Sequence, residues 1–321
     1  MQGRYLRAFS GLMSYTASVL SRRPIMMGMP FAVSVELTNC CNLKCPECPS
    51  GSGQMRREKG FMDLALFRKI MDEKGAGFLQ AGLYFQGEPM MHPEFFEFLK
   101  AAAGVYSTVS TNGHFLSREN AERLSLSPLG KLIISLDGAT PETYGVYRRN
   151  GDMDGVISGI GRIGEARRRN RSALKVEVQF LVNRFNEAEA WAVKRIALNA
   201  GASFRMKSMQ VINPGDAGYW MPENDKFCRY VKTGSGYAIK SSMPDRCARL
   251  WFNPVITWDG KVVPCCFDKD AEFVMGDVGK STFREIWYGK EYAVFRERLL
   301  KNRSQTEMCR NCTSGLKNSY L

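Results

Sequence analysis

The sequence predicts an α/β fold built on a parallel sheet, followed by a smaller domain that carries cysteines. Between residues 31 and 215, short apolar segments alternate six times with helical segments, which is the pattern of successive strand–helix units with right-handed crossovers. After about residue 215 this alternation stops. The ten cysteines fall into two groups, within residues 40–48 and 228–312. Such clustering indicates metal ligation rather than a disulfide framework.

Composition and charge exclude several classes of protein. With 44% hydrophobic and 24% charged residues, the 321-residue chain has the composition of a globular protein rather than a disordered one. It contains no run of about 18 apolar residues that would span a membrane. The net charge of +13 is compatible with an anionic partner but does not identify one. The start of the chain fits a secretory signal poorly, so we predict a cytoplasmic protein.

Residues 1–30 are predicted to form an amphipathic helical arm. Leu6, Phe9, Met13 and Leu20 recur at three- and four-residue steps, which places them along one side of a helix. We expect this stripe to pack against the body of the protein. The alternative is a helix that lies on a membrane surface, which would make the protein membrane-peripheral.

The strand–helix units occupy residues 31–215, and the second domain occupies residues 216–321. The predicted strands are Ala32–Leu37, Gly82–Gln86, Tyr106–Ser110, Leu132–Leu136, Leu174–Leu181 and Phe204–Met209. The predicted helices are Asp63–Lys74, Pro93–Ala103, Arg118–Ser125, Val156–Arg169 and Glu187–Asn199. In the second domain, Val255–Val263 reads as a hairpin around the turn dipeptide Asp259-Gly260. In parallel α/β folds, chemistry sits on loops after the carboxyl ends of the strands.

The first cysteine group is a candidate metal site. Cys41, Cys45 and Cys48 form a C-x3-C-x2-C motif directly after the first predicted strand. Three thiolates can hold three irons of a [4Fe–4S] cubane and leave the fourth iron open to another ligand. The alternative is structural zinc, which normally takes four protein ligands. His92 and His114, the two histidines, are not near this motif in the sequence, which argues against zinc.

The motif resembles the signature of the radical S-adenosylmethionine (radical SAM) superfamily, and the resemblance continues at the next strand ends. Gln86-Gly87-Glu88-Pro89 resembles the family's GGEP motif, with Gln in place of the first Gly. By this resemblance, the residues that bind the cofactor are Gly87, Glu88, Pro89, Ser110, Thr111, Asn112, Ser135, Asp137, Arg149 and Asn183. Arg148 stands beside Arg149 as a second candidate for the methionine carboxylate.

This resemblance implies a fold, cofactors and a reaction. The fold is a partial (β/α)6 TIM-like barrel, and the cofactors are S-adenosyl-L-methionine and a [4Fe–4S] cluster on Cys41, Cys45 and Cys48. The implied reaction is reductive cleavage of S-adenosylmethionine to a 5′-deoxyadenosyl radical, which then abstracts a hydrogen from the substrate. The protein's part is to position the reactants and exclude water.

The second domain resembles the SPASM/twitch extension found in one branch of the superfamily. The resemblance implies one auxiliary [4Fe–4S] cluster, with the ligands Cys247, Cys265, Cys309 and Cys312. Cys266 is the alternative to Cys265. Cys40 and Cys228 are predicted to be small buried residues rather than ligands. A four-cysteine zinc ribbon is the alternative for the whole region.

The combination of domains favours a two-electron oxidation (dehydrogenation), with electron transfer to the auxiliary cluster. The alternatives are a peptide-modifying maturase (an epimerase or cross-linking enzyme) and a non-catalytic iron–sulfur electron carrier. The expected partners are a small-molecule, lipid-linked or peptide substrate and a reductant such as flavodoxin or ferredoxin. Nucleic acid is not expected, because the basic segment at residues 167–175 has no interleaved aromatic residues.

Overall fold

The computed structural model describes residues 2–73, 77–234 and 236–312, with the side chains of residues 2–7 outside the described set. The strands are β1 Ala32–Val35, β2 Gln80–Gly82, β3 Tyr106–Thr111, β4 Lys131–Ser135, β5 Lys175–Val182, β6 Ser203–Ser208, β7 Tyr230–Thr233, β8 Gly236–Ile239, β9 Val255–Ile256, β10 Lys261–Val263 and β11 Gly276–Asp277. The helices are α1 Gln2–Ser21, α2 Pro49–Ser52, α3 Leu64–Asp72, α4 Phe95–Ala101, α5 Arg118–Leu126, α6 Pro141–Tyr147, α7 Met153–Arg169, α8 Ala190–Asn199, α9 Ala217–Trp220, α10 Arg249–Phe252, α11 Phe283–Tyr288, α12 Lys290–Asn302 and α13 Glu307–Arg310.

The main sheet has nine strands in the order β11-β10-β9-β1-β2-β3-β4-β5-β6. Strands β1 to β6 are consecutive neighbours, and each pair among them is parallel. Helical segments connect these strands, as expected for right-handed βα crossovers. The predicted α/β class and parallel sheet are therefore confirmed. The six carboxyl ends meet at one edge, where the predicted cofactor residues lie.

Strand β2 and helix α6 differ from the sequence prediction in ways that the local sequence explains. Strand β2 lies at Gln80–Gly82 rather than at Gly82–Gln86, because the chain turns into a loop that ends at Gly87, whose φ is +71°. Helix α6 was not predicted. Its start nevertheless has ordinary helix signals: the Thr140 side chain accepts a hydrogen bond from the Thr143 amide, and Pro141 occupies the first turn.

The core lies between the parallel sheet and the helices that cross over it. Phe67 of α3 and Phe98 of α4 are fully buried, with ring centres 4.9 Å apart. On the sheet, Val178 and Phe180 of β5 are fully buried as well. Each such side chain contributes about 1.5–3 kcal/mol through burial. This packing fixes the strand ends that carry the site.

The C-terminal part extends the same sheet. Strands β9 and β10 form the predicted antiparallel hairpin, and β9 also pairs in parallel with β1. Beside this pairing, Glu36 is fully buried and forms an ion pair with Arg57 at 2.7 Å. The Trp258 amide donates to the same carboxylate, and the Trp258 ring packs over Gly60, where a Cβ atom would lie 2.4 Å from the ring. The cysteine-bearing segment is therefore fixed to the barrel at β1.

Helix α1 packs on the body through the side that carries Ser14, Ser18 and Tyr15 rather than through its predicted apolar stripe. Ser14 and Ser18 are fully buried, and their hydroxyls accept hydrogen bonds from the amides of Met27 and Ile25. Phe9, Met13 and Leu20 are exposed instead, which corrects the expectation that the stripe packs inward. The physical reason is that the opposite side of the helix carries Tyr15, whose ring lies 5.7 Å from that of Trp251, together with the two buried serines, so this side packs and the predicted stripe points outward. Leu6 lies outside the described side chains.

Across the described residues, no helix combines the length and the apolar character needed to cross a bilayer.

Candidate functional site

The first cysteine group lies on the loop that follows β1. Cys45 is buried, and Cys41 and Cys48 are half-buried. Burial raises the pKa of the Cys41 thiol to about 12, and the nearby charges of Glu88, Cys48 and Cys45 add to this effect. The three sulfurs are therefore close enough to act on one another. Gly51 allows the loop to fold tightly, because a Cβ there would lie 2.6 Å from the Cys45 nitrogen.

Gly87 and Glu88 connect the second strand end to this cysteine loop. The Glu88 amide donates to the Cys40 carbonyl at 2.8 Å. A Cβ at Gly87 would lie 2.6 Å from the carbonyl oxygens of Thr38 and Cys40, so only glycine fits this position with its positive φ. The Gly87 amide donates to the hydroxyl of Ser50, which also contacts the Gln86 side chain at 3.5 Å. The unusual Gln86 is thus accommodated beside α2.

Glu88 holds the end of the third strand. Its buried carboxylate accepts hydrogen bonds from the Thr111 hydroxyl at 2.8 Å, the Asn112 amide at 2.6 Å and the Met90 amide at 3.1 Å. Burial raises the pKa of Glu88 to about 7, although these donors favour its charged form. The Asn112 side chain lies 3.9 Å from the Cys41 sulfur and donates to Asn42 at 2.7 Å. The first three motifs therefore meet at one place.

An Asp137–Arg148 pair brings the fourth strand end to the same group. Asp137 is fully buried and accepts from Arg148 Nε at 2.6 Å and from the Leu181 amide at 2.6 Å. Arg148 Nη1 lies 3.9 Å from the Cys45 sulfur. Burial disfavours the charged guanidinium, but Asp137 and Cys45 outweigh it and hold the pKa of Arg148 well above its ordinary value. Arg148 therefore stays cationic beside the cysteine loop.

The remaining predicted cofactor residues are placed differently. Ser110 and Ser135 are half-buried near the ends of β3 and β4. Asn183 is buried, and its side-chain nitrogen has no hydrogen-bond partner within the described residues. Arg149 is exposed and lines an outer depression with Lys44 and Asn150, and it contacts the cysteine loop only through its backbone carbonyl, which accepts from the Lys44 amide at 3.0 Å. Of the two adjacent arginines, Arg148 is the one whose side chain reaches the cysteine loop.

Asn186 is a site residue that sequence reasoning missed. Its side-chain nitrogen donates to the carbonyls of Asp137 and Leu181, and its oxygen accepts from the Asn183 amide. It therefore connects the fourth and fifth strand ends. The available signal was its position three residues after Asn183, within a turn that two Asn side chains satisfy.

The four predicted auxiliary cysteines also come together. Cys247, Cys309 and Cys312 are buried and Cys265 is half-buried. Burial raises the pKa of the Cys265 thiol, and the thiols of Cys266, Cys247 and Cys312 add to this effect. Burial likewise raises the pKa of Cys309 to about 11 against the lowering effect of Arg303. These mutual effects identify one group of sulfurs.

Cys266 adjoins that group, since its charge acts on Cys265. Arg249 Nη1 donates to its sulfur at 3.2 Å, and the charge of Cys266 also acts on Lys207 and Lys269. We keep Cys265 as the proposed fourth auxiliary ligand. Of the remaining cysteines, Cys228 donates its thiol hydrogen to a backbone carbonyl at 3.1 Å.

Arg303 lies among the auxiliary cysteines. It is fully buried, and within the described residues its guanidinium has the Cys309 thiol as side-chain partner. Burial disfavours its charge, but Cys312, Cys247 and Cys309 outweigh this and raise the pKa of Arg303. A buried cation is costly unless an anionic group lies beside it.

Two family models match this chain. The model of the radical SAM superfamily matches residues 35–189, and the SPASM model, an iron–sulfur cluster-binding domain, matches residues 247–313.

The chain belongs to the radical SAM superfamily.

Relatives of this radical SAM protein include enzymes of different kinds. The mycofactocin maturase MftC of Mycobacterium tuberculosis is 25% identical over 315 residues, which cover 88% of this chain and 75% of the relative. The S-adenosyl-L-methionine-dependent 2-deoxy-scyllo-inosamine dehydrogenase of Niallia circulans is 23% identical over 295 residues, covering 88% and 92%. Among solved structures, BtrN in complex with AdoMet and 2-DOIA aligns with a TM-score of 0.56 at 20% identity, covering 88% and 93%. That last likeness concerns the fold, a partial barrel with a C-terminal SPASM domain.

The residues present fit the cofactors of a radical SAM protein, namely S-adenosylmethionine, a [4Fe–4S] cluster and an auxiliary cluster. The raised pKa values show that burial disfavours the free thiolates, and metal coordination reverses this because a coordinating thiol is deprotonated. The buried guanidinium of Arg303, beside Cys309, Cys247 and Cys312, fits an anionic, thiolate-bound cluster there. The unpartnered side-chain nitrogen of Asn183 fits a polar ligand at the strand ends.

Replacing Glu88 with Gln is expected to destabilise the protein by about 1–3 kcal/mol and to weaken binding of S-adenosylmethionine. The new amide group turns a donor toward either the Asn112 amide or the Thr111 hydroxyl, so a buried hydrogen bond is lost and a buried donor is left unsatisfied. Urea unfolding measures the stability, and equilibrium binding measures the affinity. Glu94→Gln is the control, because Glu94 is exposed on the same connection and makes no capping bond. Equal behaviour of the two variants would contradict this role of Glu88.

Proposed function

We propose that this radical SAM enzyme is an oxidoreductase that dehydrogenates its substrate by two electrons. The observation that carries the proposal is the meeting of strand-end groups at the cysteine loop. Asn112 and Arg148 each lie 3.9 Å from a cysteine sulfur, and Glu88 fixes the first of them. An electron carrier needs a cluster but has no use for a second, polar pocket beside it.

In this proposal, S-adenosylmethionine and the [4Fe–4S] cluster held by Cys41, Cys45 and Cys48 supply the radical that removes a substrate hydrogen. The backbone around Gly87 and Glu88 binds the methionine amino group, and Arg148 binds its carboxylate. Asp137 keeps the Arg148 guanidinium oriented through a 2.6 Å hydrogen bond. These groups bind and orient the reactants and need not move a proton.

The auxiliary cysteines support the oxidative assignment. Cys247, Cys265, Cys309 and Cys312 supply four thiolates, which complete the protein ligation of one cluster. Arg303 places a positive charge beside it, and a nearby cation favours the more negative, reduced form of a cluster. Such a cluster is suited to accept the second electron from the substrate. The Niallia circulans relative, named as a dehydrogenase, aligns over 92% of its length.

Peptide modification is the second candidate function. The Mycobacterium tuberculosis relative, named as a maturase, supports it, since 88% of this chain aligns with that protein. The two candidates differ in a measurable way. A dehydrogenase makes a product two hydrogens lighter, whereas an epimerase returns a hydrogen to the substrate without a change in mass. A cross-linking enzyme also removes two hydrogens, but it forms a new bond between two residues of a peptide, which fragmentation of the product detects.

The function is tested by anaerobic incubation of the reduced, reconstituted protein with S-adenosylmethionine. We expect 5′-deoxyadenosine and methionine to form in equal amounts, measured by chromatography, with dithionite or a flavodoxin as reductant. Omission of the reductant is the control and should abolish both products. Failure of the iron-loaded protein to form 5′-deoxyadenosine would support the carrier function instead.

Helix α1 is proposed to contact a membrane surface. Phe9, Leu12, Met13 and Leu20 are 60, 52, 42 and 80% exposed along one side of the helix, and Arg22 and Arg23 follow at its exposed end. Apolar residues beside arginines favour binding to an anionic bilayer interface.

Changing Phe9, Leu12 and Leu20 together to Gln is expected to reduce co-sedimentation with anionic phosphatidylglycerol vesicles at least about fivefold, because burial of these side chains is lost. Since all three are exposed, the fold should persist. The matched control changes the exposed Leu126, Trp191 and Leu198 to Gln. Equal sedimentation of both variants and the wild type would contradict the proposed membrane contact.

A further inference from the structure

A cavity of about 230 Å³ adjoins the cofactor site. Cys48 and Gly87 line one side of it, so it opens onto the cysteine loop and the second strand end. Its other side is formed by the end of β6 and by the segment that follows Cys266. A substrate in this cavity lies next to the position where hydrogen abstraction is proposed.

Three cationic side chains line this cavity: Lys207 at the end of β6, Arg229 before β7, and Lys269 from the C-terminal segment. They come from three separate parts of the chain. They are also near enough to interact, because the charges of Cys48 and Cys266 favour the cationic form of Lys269 and the positive charges of Arg229 and Lys207 oppose it. Burial, together with the charge of Arg229, lowers the pKa of Lys207. Bringing like charges together in a buried place costs free energy, and an anion bound among them offsets that cost.

Glu47 is the one acidic residue among those that line the cavity. Its two carboxylate oxygens accept hydrogen bonds from the Trp220 indole nitrogen and the Ile212 amide, both at 2.7 Å. Apart from Cys48, which would be a thiolate in the cluster, the lining therefore carries three cationic side chains against one carboxylate, and that carboxylate is directed to neutral donors.

The geometry of Arg229 favours one kind of anion. Its Nη2 donates to the Ser208 carbonyl at 2.9 Å, which fixes the plane of the guanidinium, and the side chain is 6% exposed. A fixed guanidinium supplemented by two ammonium groups matches a phosphoryl group, which presents several oxygens and up to two charges. A single carboxylate presents one charge and two oxygens.

We propose that Lys207, Arg229 and Lys269 bind a phosphoryl group of the substrate, so that the enzyme acts on a phosphorylated molecule. This inference rests on the proposed function for the existence of a substrate at this site. The cavity has about eight times the volume that one water molecule occupies in the liquid, which accommodates a phosphoryl group and a small attached portion of the substrate. A soluble phosphate ester and a lipid-linked phosphate both present such a phosphoryl group.

The test is calorimetric titration of inorganic pyrophosphate into the anaerobically reconstituted protein saturated with S-adenosylmethionine. We expect one saturable site in the wild type. Lys207→Met and Lys269→Met should each weaken pyrophosphate binding about tenfold or more, because a charged hydrogen bond is lost. Lys232→Met is the matched control, since Lys232 is exposed on β7 and should leave the affinity unchanged. Malonate, a dicarboxylate, should bind at least about tenfold more weakly than pyrophosphate.

Each outcome has a defined meaning. Absence of pyrophosphate binding to the wild type, or equal affinities in the wild type and the lysine variants, would overturn the inference. Equal binding of malonate would overturn the phosphoryl assignment. Measuring the affinity for S-adenosylmethionine in parallel shows whether the three cations bind the substrate or the cofactor. If the lysine variants lose S-adenosylmethionine binding as strongly as pyrophosphate binding, the cations serve the cofactor and the inference is wrong.

A second comparison distinguishes a lipid-linked phosphoryl group from a soluble one. Vesicles that contain phosphatidic acid should compete with pyrophosphate if the substrate is lipid-linked, and soluble glycerol phosphate should compete if it is not. Competition by neither would overturn the inference. Production of 5′-deoxyadenosine is recorded in the same samples. Its absence in a protein that binds pyrophosphate would refute the proposed function and leave the anion site standing, so the two failures are distinguishable.

Discussion

A protein in which Cys41, Cys45 and Cys48 are all replaced by Ala is expected to form no detectable 5′-deoxyadenosine and to retain about four of about eight irons. The three thiolates hold one cubane of four irons, and the auxiliary cysteines hold the other. Loss of the first cluster removes the electron source for cleavage of S-adenosylmethionine. Iron and sulfide analysis, with chromatography of the nucleoside, measures both effects.

Cys40→Ala is the matched control for this experiment. Cys40 immediately precedes Cys41 and is also half-buried, but it contributes its backbone carbonyl to the site through the Glu88 amide. This variant should keep about eight irons and the wild-type rate. Cleavage of S-adenosylmethionine by the triple variant would show that the first cysteine group is not the reactive cluster site.

Replacing Cys309 and Cys312 with Ala is expected to abolish product formation while cleavage of S-adenosylmethionine continues. Two of the four auxiliary ligands are lost, and with them the proposed acceptor of the second electron. The first cluster and its pocket lie at the other cysteine loop and stay intact. Product and 5′-deoxyadenosine are measured together with the true substrate, and their ratio should fall at least about a hundredfold.

The matched control is Cys228→Ala, because Cys228 is not a proposed ligand of either cluster and uses its thiol in one hydrogen bond to a carbonyl. Circular dichroism and thermal unfolding establish that the double variant is folded, since metal binding and folding are coupled. A folded double variant that forms product at the wild-type rate would show that the auxiliary cluster is structural and not an electron acceptor.

Much of the barrel was predictable because its signals are local. Strand–helix alternation, helix caps and cysteine spacing all depend on residues near one another in the chain. The strands around β3, β4 and β5 were therefore predicted within about one residue of their observed bounds. Strand β2 was displaced because the apolar residues after Gly82 continue a strand-like pattern, although Gly87 requires a loop. Apolar residues alone do not indicate where the hydrogen bonding between neighbouring strands ends.

Choices between adjacent residues were not predictable. Arg148 and Arg149 carry the same charge, and the end of α6 decides which of them faces Asp137. Cys265 and Cys266 are likewise chemically identical. The chain after β10 brings both near the auxiliary cysteines, and there Arg249 donates to the sulfur of Cys266. These selections depend on backbone direction, which tertiary packing sets.

The sequence by itself determined the fold class, the two cysteine groups and the order of strand-end motifs. Each of these follows from residue type and from spacing within short stretches of the chain. Only the tertiary structure decided which face of α1 packs inward, that β9 joins β1, and that three cations meet in one cavity. These facts depend on contacts between segments far apart in the chain. Such contacts form when the whole core closes, and no local pattern specifies them in advance.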